Sequence, residues 1–264
     1  MRRLHSSRYP EPDDRAREGF DCLELEGDAI APTGDELAWL RPFGSAIPGP
    51  ALAGIADGGP EETRVPRQAR ELNAIGRRLD AVLLLRRLLE DNPQSPGVRL
   101  LLAELLDAGG DVAEALEELT RALGDTDDPA PVLLHRGVIL TRCGRAAEAE
   151  PDLRAALRHR PGDAATHFQL GLALLRLGRG TEAVAALRDA LALRPDDAEA
   201  LYYLGEALVA TNDLAPALGA FERAAALDPN DARCYKLMGR VLDRLGRPDD
   251  AMEMHRKARE AAIR

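Results

Sequence analysis

Aromatic residues make up only 3% of this 264-residue chain. So low a content counts against a β-sandwich core and against an aromatic platform for stacking nucleic-acid bases. Long apolar runs are also missing: the run Ala81–Leu85 covers five residues, whereas a membrane-spanning helix needs about 20. We therefore expect a protein that does not insert into a membrane.

Cysteine is equally scarce. Cys22, Cys143 and Cys234 lie far apart in the sequence, and none belongs to a CxxC motif. Three widely spaced cysteines favour neither a disulfide framework nor a zinc site. We expect no metal site and no cofactor, and we expect the reducing cytoplasm as the compartment.

An excess of positive charge is lacking as well. The chain has 35 Lys and Arg against 45 Asp and Glu, which gives a net charge of −10. A protein whose main task is to neutralise phosphates is normally basic. The composition therefore predicts no nucleic-acid partner.

Glycine and proline are concentrated in residues 1–61, which hold 8 of the 23 glycines and 7 of the 18 prolines. Twelve acidic and six basic residues make this region acidic. Because proline interrupts regular elements, we predict a mostly irregular N-terminal arm with one short helix over Asp35–Arg41. Its apolar residues, Phe20, Leu23, Leu25 and Trp39, make the arm a candidate internal ligand.

Residues 62–264 repeat with a period of 34, and positions are numbered within each repeat below. Position 11 is leucine and position 20 is alanine in every repeat. Position 8 is always alanine or glycine, which predicts a close approach of two helices, and position 15 is glycine or asparagine, which suits a left-handed helix end. The six repeats are 62–95, 96–129, 130–163, 164–197, 198–231 and 232–264.

Each repeat is predicted to be two antiparallel helices. Ser95, Asp163, Asp197 and Asp231 stand where the next helix needs an N-cap. Pro66 lies early in repeat one and predicts a late start for its first helix. These patterns resemble the tetratricopeptide repeat family over residues 62–264. The resemblance implies an all-α, right-handed α-solenoid of six stacked helix–turn–helix repeats.

The resemblance also implies where a partner binds. In the family the first helices line a concave groove, which positions 2, 5, 6, 9, 12 and 13 face. Here those positions give an apolar strip with arginines beside it, and such a wall suits a segment with apolar and acidic residues. Tyr203 and His135, at position 6, are further candidates. The predicted groove residues are Leu100, Leu134, Val138, Arg142, Phe168, Leu172, Arg176, Tyr202, Lys236, Arg240 and Arg244.

Catalytic motifs are absent from the sequence: there is no GxSxG, HExxH, GxGxxG or GxxxxGKS/T. We predict a non-catalytic scaffold or adaptor that binds a peptide or a partner helix in the groove. A first alternative is self-assembly through repeat ends, because Met238, Met252 and Met254 lie near the C-terminal end. A second is an enzyme whose site lies on the concave wall.

Overall fold

The computed structural model describes residues 60–263, and this part of the chain consists of twelve α-helices without a strand. Consecutive helices pair as six antiparallel hairpins, and each hairpin packs on the next. The predicted all-α solenoid of repeats is confirmed, while the arm and its helix over Asp35–Arg41 lie outside the described residues. The helices are α1 Pro60–Ala74, α2 Arg78–Asp91, α3 Pro96–Gly109, α4 Val112–Gly124, α5 Ala130–Arg142, α6 Ala146–His159, α7 Ala164–Arg176, α8 Gly180–Leu193, α9 Ala198–Ala210, α10 Leu214–Leu227, α11 Ala232–Arg244 and α12 Pro248–Ala261.

The residue at position 15 ends the first helix of each hairpin in a left-handed conformation. Its φ lies between 67° at Asn212 and 91° at Gly110. The next backbone N–H then reaches back to the carbonyl of the position-11 leucine, as in the 2.9 Å bond from Arg77 to Leu72. This is the helix ending predicted from glycine and asparagine.

The small residues at position 8 allow the two helices of a hairpin to touch. A Cβ at Gly137 would lie 2.7 Å from the Leu153 side chain, and one at Gly171 would lie 2.6 Å from Leu187. Leu153 and Leu187, both at position 24, are fully buried. The predicted close approach of the two helices is confirmed. The residue at position 8 lies against the side chain at position 24 of the same repeat.

The helix starts agree with most of the local expectations, with one exception. The predicted late start of the first helix is wrong: α1 begins at Pro60 and contains Pro66. Ser95 is the N-cap residue of α3, as predicted, but its side chain makes no capping hydrogen bond. The carboxylates of Asp163, Asp197 and Asp231 do accept backbone N–H groups, as predicted.

The array curves with its first helices on the inside. Contacts join α1 to α3, α3 to α5, α5 to α7 and α7 to α9 across neighbouring repeats, whereas no two second helices among residues 60–263 make comparable contacts. Because the first helices approach one another more closely than the second helices do, they lie on the concave side. The predicted groove residues all belong to first helices.

Candidate partner-binding surface

The concave surface is formed mainly by α3, α5, α7, α9 and α11, and three of the predicted groove residues are buried beneath it. Leu100 is 4% exposed, Phe168 is 2% exposed and Tyr202 is 9% exposed. Their side chains pack within the array, so they offer a partner little surface. The apolar strip expected from the sequence is therefore narrower in the structure.

Three aliphatic residues remain half-buried on this surface. They are Leu134 and Val138 on α5 and Leu172 on α7. Leu134 and Val138 are four residues apart and so lie on one side of α5. These three side chains form what we call the α5–α7 strip.

Arginines at position 13 connect consecutive repeats. Arg142 makes an ion pair with Asp107 of the preceding repeat, and an Arg176 guanidinium N–H donates to the Thr141 carbonyl. Arg244 donates to the Asn212 side-chain oxygen over 2.8 Å. We had expected these arginines to face a partner's carboxylates. Each instead reaches the C-terminal end of the preceding first helix, where carbonyls lack helical partners.

Two cations on α11 remain exposed. Lys236 and Arg240 make no salt bridge with any residue from 60 to 263. They lie four residues apart, on one side of the helix. Unlike the arginines at position 13, these two predicted basic residues are not engaged by the preceding repeat.

A cluster of aromatic and acidic side chains lies on α9. Its tyrosines were predicted from the sequence as groove residues, but its acidic members were not. The ring of Tyr203 meets those of Phe168 and Tyr202 edge to face, with centroids 5.8 and 5.2 Å apart. The Tyr202 hydroxyl lies 3.3 Å from a carboxylate oxygen of Glu206, and the Arg233 guanidinium lies 4.7 Å from the centre of the Tyr202 ring. The signal was available, because Glu206 occupies position 9, which the family resemblance assigns to the groove.

Burial gives this cluster unusual proton affinities. It raises the pKa of Glu206 and of Glu199 above the ordinary value for glutamate, although Arg233 opposes the shift. Burial likewise raises the pKa of Tyr203 to about 12. Because both carboxylates have lost part of their hydration, a hydrogen-bond donor or a cation from a partner could compensate them. The α9 cluster, Glu199, Tyr202, Tyr203, Glu206 and Arg233, is therefore a polar extension of the α5–α7 strip.

His135, one of the further candidates, lies beside this surface. Its Nε2 is 3.2 Å from a carboxylate oxygen of Glu104 in the preceding repeat. Like the arginines at position 13, it bridges two repeats, and this contact restricts what it can offer a partner.

Six stacked helical hairpins with one continuous inner wall define the class of helical repeat proteins. The tetratricopeptide repeat family matches residues 74–134, 134–192 and 168–232, which together span more than half of the chain. The chain belongs to this family, as its repeat pattern predicted.

Solved structures share the fold. Residues 41 to the end of MamA from Desulfovibrio magneticus RS-1 are 23% identical, with a TM-score of 0.61 over 64% of this chain and 95% of that one. Pseudomonas aeruginosa PilF is 22% identical, with a TM-score of 0.65 over 73% and 87%. YrrB, a repeat protein of this family described as having an unusual peptide-binding site, is 24% identical, with a TM-score of 0.59 over 67% and 91%.

No curated protein matches the chain. Among the described helices, none combines the length and the apolar character that crossing a bilayer requires.

Proposed function

We propose that this protein is a non-catalytic scaffold or adaptor that binds a peptide or a partner helix on its concave surface. Tetratricopeptide repeat proteins are generally protein-interaction scaffolds. YrrB, which has the same fold, is described by its peptide-binding site. The low cysteine content supports the cytoplasm as the proposed compartment.

One observation carries the proposal: the α5–α7 strip continues into the α9 cluster and then to two accessible cations on α11. A bound segment can bury apolar side chains against Leu134, Val138 and Leu172. Further along, its carboxylates can face Lys236 and Arg240. Such a surface selects a segment whose apolar residues and acidic residues are separated, because apolar burial gives affinity while charge fixes direction.

Peptides selected from a random display library on the full chain test the proposal. We expect enriched peptides to combine aliphatic or aromatic residues with Asp or Glu. Lys236→Glu together with Arg240→Glu should then weaken their binding roughly tenfold, because each accessible charge pair contributes about 0.5–1 kcal/mol. Leu172→Ala should weaken binding independently, through lost apolar contact.

Arg158→Glu together with Arg188→Glu provides the matched control. These exposed arginines lie on the second helices α6 and α8, so the net charge changes equally while the concave surface is untouched. If the two double variants weaken binding of the selected peptides to the same extent, the cations on α11 are not part of the site. If Leu172→Ala also leaves binding unchanged, the groove assignment fails. Reversing Arg142 and Arg176 would be a poor test, because it also breaks contacts between repeats.

Self-assembly through the C-terminal repeat is the second candidate. Met252 is 64% exposed at position 21, where Val82, Val184 and Leu218 are buried. At the other end, Arg64, Gln68 and Glu71 present a polar face, so stacking of one end on the other is disfavoured. Two copies would therefore join through their α12 faces. Light scattering over a concentration series tests this: Met252→Glu should abolish a dimer, and a strictly monomeric protein rules the candidate out.

A further inference from the structure

The outer surface of repeat one carries a stripe of large apolar side chains. We call it the α2 stripe: Ile75 is 69% exposed, Leu79 74% and Leu83 63%. Leu79 and Leu83 are four residues apart on α2 and therefore lie on one side of it, and Ile75 precedes them at the turn. A contiguous apolar surface of this kind usually marks an interaction site.

The stripe is not explained by a missing neighbour. Leu79 and Leu83 occupy positions 18 and 22, which are small or polar in the other five repeats. In the other five repeats the residues at positions 18 and 22 are exposed, except for Gly219, which is half-buried. This is true even of the repeats that have a neighbour on both sides. A further repeat would therefore leave Leu79 and Leu83 uncovered. The residues compared are Ala113, Ala147, Thr181, Ala215 and Asp249 at position 18, and Glu117, Pro151, Ala185, Gly219 and Glu253 at position 22.

Two pairs of arginines flank the two leucines of the stripe. Arg77 and Arg78 precede Leu79, Arg86 and Arg87 follow Leu83, and the one acidic residue from 75 to 89 is Asp80. Arg77 pairs with Asp80 and Arg86 with Glu114, while the Arg78 guanidinium donates to the Ala108 carbonyl over 2.9 Å. Arg87 is exposed and makes no salt bridge with any described residue. Arg78 and Arg86 are eight residues apart, which separates the pairs by about 12 Å along the helix.

We propose that the α2 stripe docks an acidic amphipathic helix of a partner protein. Two or three apolar residues of that helix would pack on Ile75, Leu79 and Leu83, and carboxylates two turns apart would face the two arginine pairs. The stripe shares no residue with the concave surface, so this inference is independent of the proposed function.

A second copy of this chain fits the stripe poorly. A two-fold contact would place the arginine pairs of one copy near those of the other, which is repulsive. Three partly exposed aliphatic side chains also offer much less than the roughly 800 Å² per partner that a stable complex usually buries. A short helix needs less surface and brings the opposite charge.

The test uses a fluorescent synthetic helix about four turns long, with leucines four residues apart and glutamates beside them. A second peptide carries lysine in place of every glutamate. Titrated with the full chain, the acidic peptide should bind saturably and the lysine peptide at least tenfold more weakly. Leu79→Ser together with Leu83→Ser should raise the Kd of the acidic peptide at least tenfold. Arg87→Glu should raise it several-fold and reduce its dependence on salt.

Thr181→Ser together with Ala185→Ser is the matched control, since it alters the same two positions of repeat four and should leave binding unchanged. Lys236→Glu together with Arg240→Glu should also leave it unchanged, which separates this site from the concave surface. Circular dichroism will verify folding of the variants, whose changed side chains are exposed. Absence of saturable binding, equal binding of both peptides, or an unaffected leucine variant would each overturn the proposal. A photo-crosslinking residue in place of Leu83 provides a further test. If it crosslinks two copies of this chain, or two segments of the same chain, the proposal is overturned.

Discussion

Adding one methyl group at Gly171 should destabilise the protein, although alanine is the better helix former. On propensity alone, glycine to alanine inside a helix gains about 1 kcal/mol. In α7, however, the new Cβ would lie 2.6 Å from Cγ and 2.9 Å from Cδ2 of the fully buried Leu187. Overpacking of this kind typically costs about 1–3 kcal/mol. We therefore expect the free energy of unfolding of Gly171→Ala, measured by urea denaturation, to fall by about 1 kcal/mol.

Gly219→Ala is the control for this prediction. Gly219 also lies inside a helix, α10, but a Cβ there would meet nothing within 4 Å. Gly219→Ala should therefore raise the free energy of unfolding by about 1 kcal/mol, from helix propensity alone. In a Leu187→Ala background the contact is removed, and Gly171→Ala should become stabilising. If Gly171→Ala and Gly219→Ala stabilise the wild-type chain equally, then position 8 is not the contact that sets the spacing of the two helices.

Three further predictions concern single residues. Glu206→Gln should be more stable than wild type at pH 7, with the difference closing near pH 4 in urea titrations. Burial raises the folded-state pKa of Glu206, so its contribution to stability is present below the unfolded pKa and is lost as the pH rises through the folded value. Asn212→Ala should lower the free energy of unfolding by about 1–2 kcal/mol in thermal melts, because Asn212 has a φ of 67° and accepts a hydrogen bond from Arg244. Asn212→Gly should lose less, because glycine adopts this φ without strain. Asp197→Ala should lose about 1 kcal/mol of unfolding free energy and speed amide exchange at the start of α9, where its carboxylate accepts the Ala200 N–H over 3.0 Å.

Most of the fold was predictable because the same contact recurs in every repeat. Position 15 needs a left-handed backbone, and five glycines and Asn212 supply it. Position 8 must be small because a large side chain from position 24 lies against it, as Leu187 lies against Gly171. A requirement imposed six times by local geometry leaves a visible pattern in one sequence. Pro66 escaped this reasoning because no other repeat has a proline at position 5, so no recurring pattern reports on it.

The candidate site was harder to predict, because exposure depends on the neighbouring repeat as well as on position. Leu100 and Leu134 both occupy position 5, yet Leu100 is buried and Leu134 is half-buried. Arg142 was expected to face a partner's carboxylates, but its long side chain pairs with the acidic Asp107 in the repeat before it. Such contacts join residues about one repeat apart, and no local pattern reports which arginine finds a carboxylate.

Residues that depart from the repeat pattern therefore carry the information about partners. The positions that hold the hairpins together are nearly the same in every repeat, so they report on the fold rather than on a partner. Leu79 and Leu83 stand out because the equivalent residues elsewhere are small or polar, and no contact within the described array requires them. Glu206 stands out because a half-buried carboxylate with a raised pKa costs stability that glutamine would not. The partners proposed above would cover both features and would compensate for the exposed apolar surface and for the buried charge.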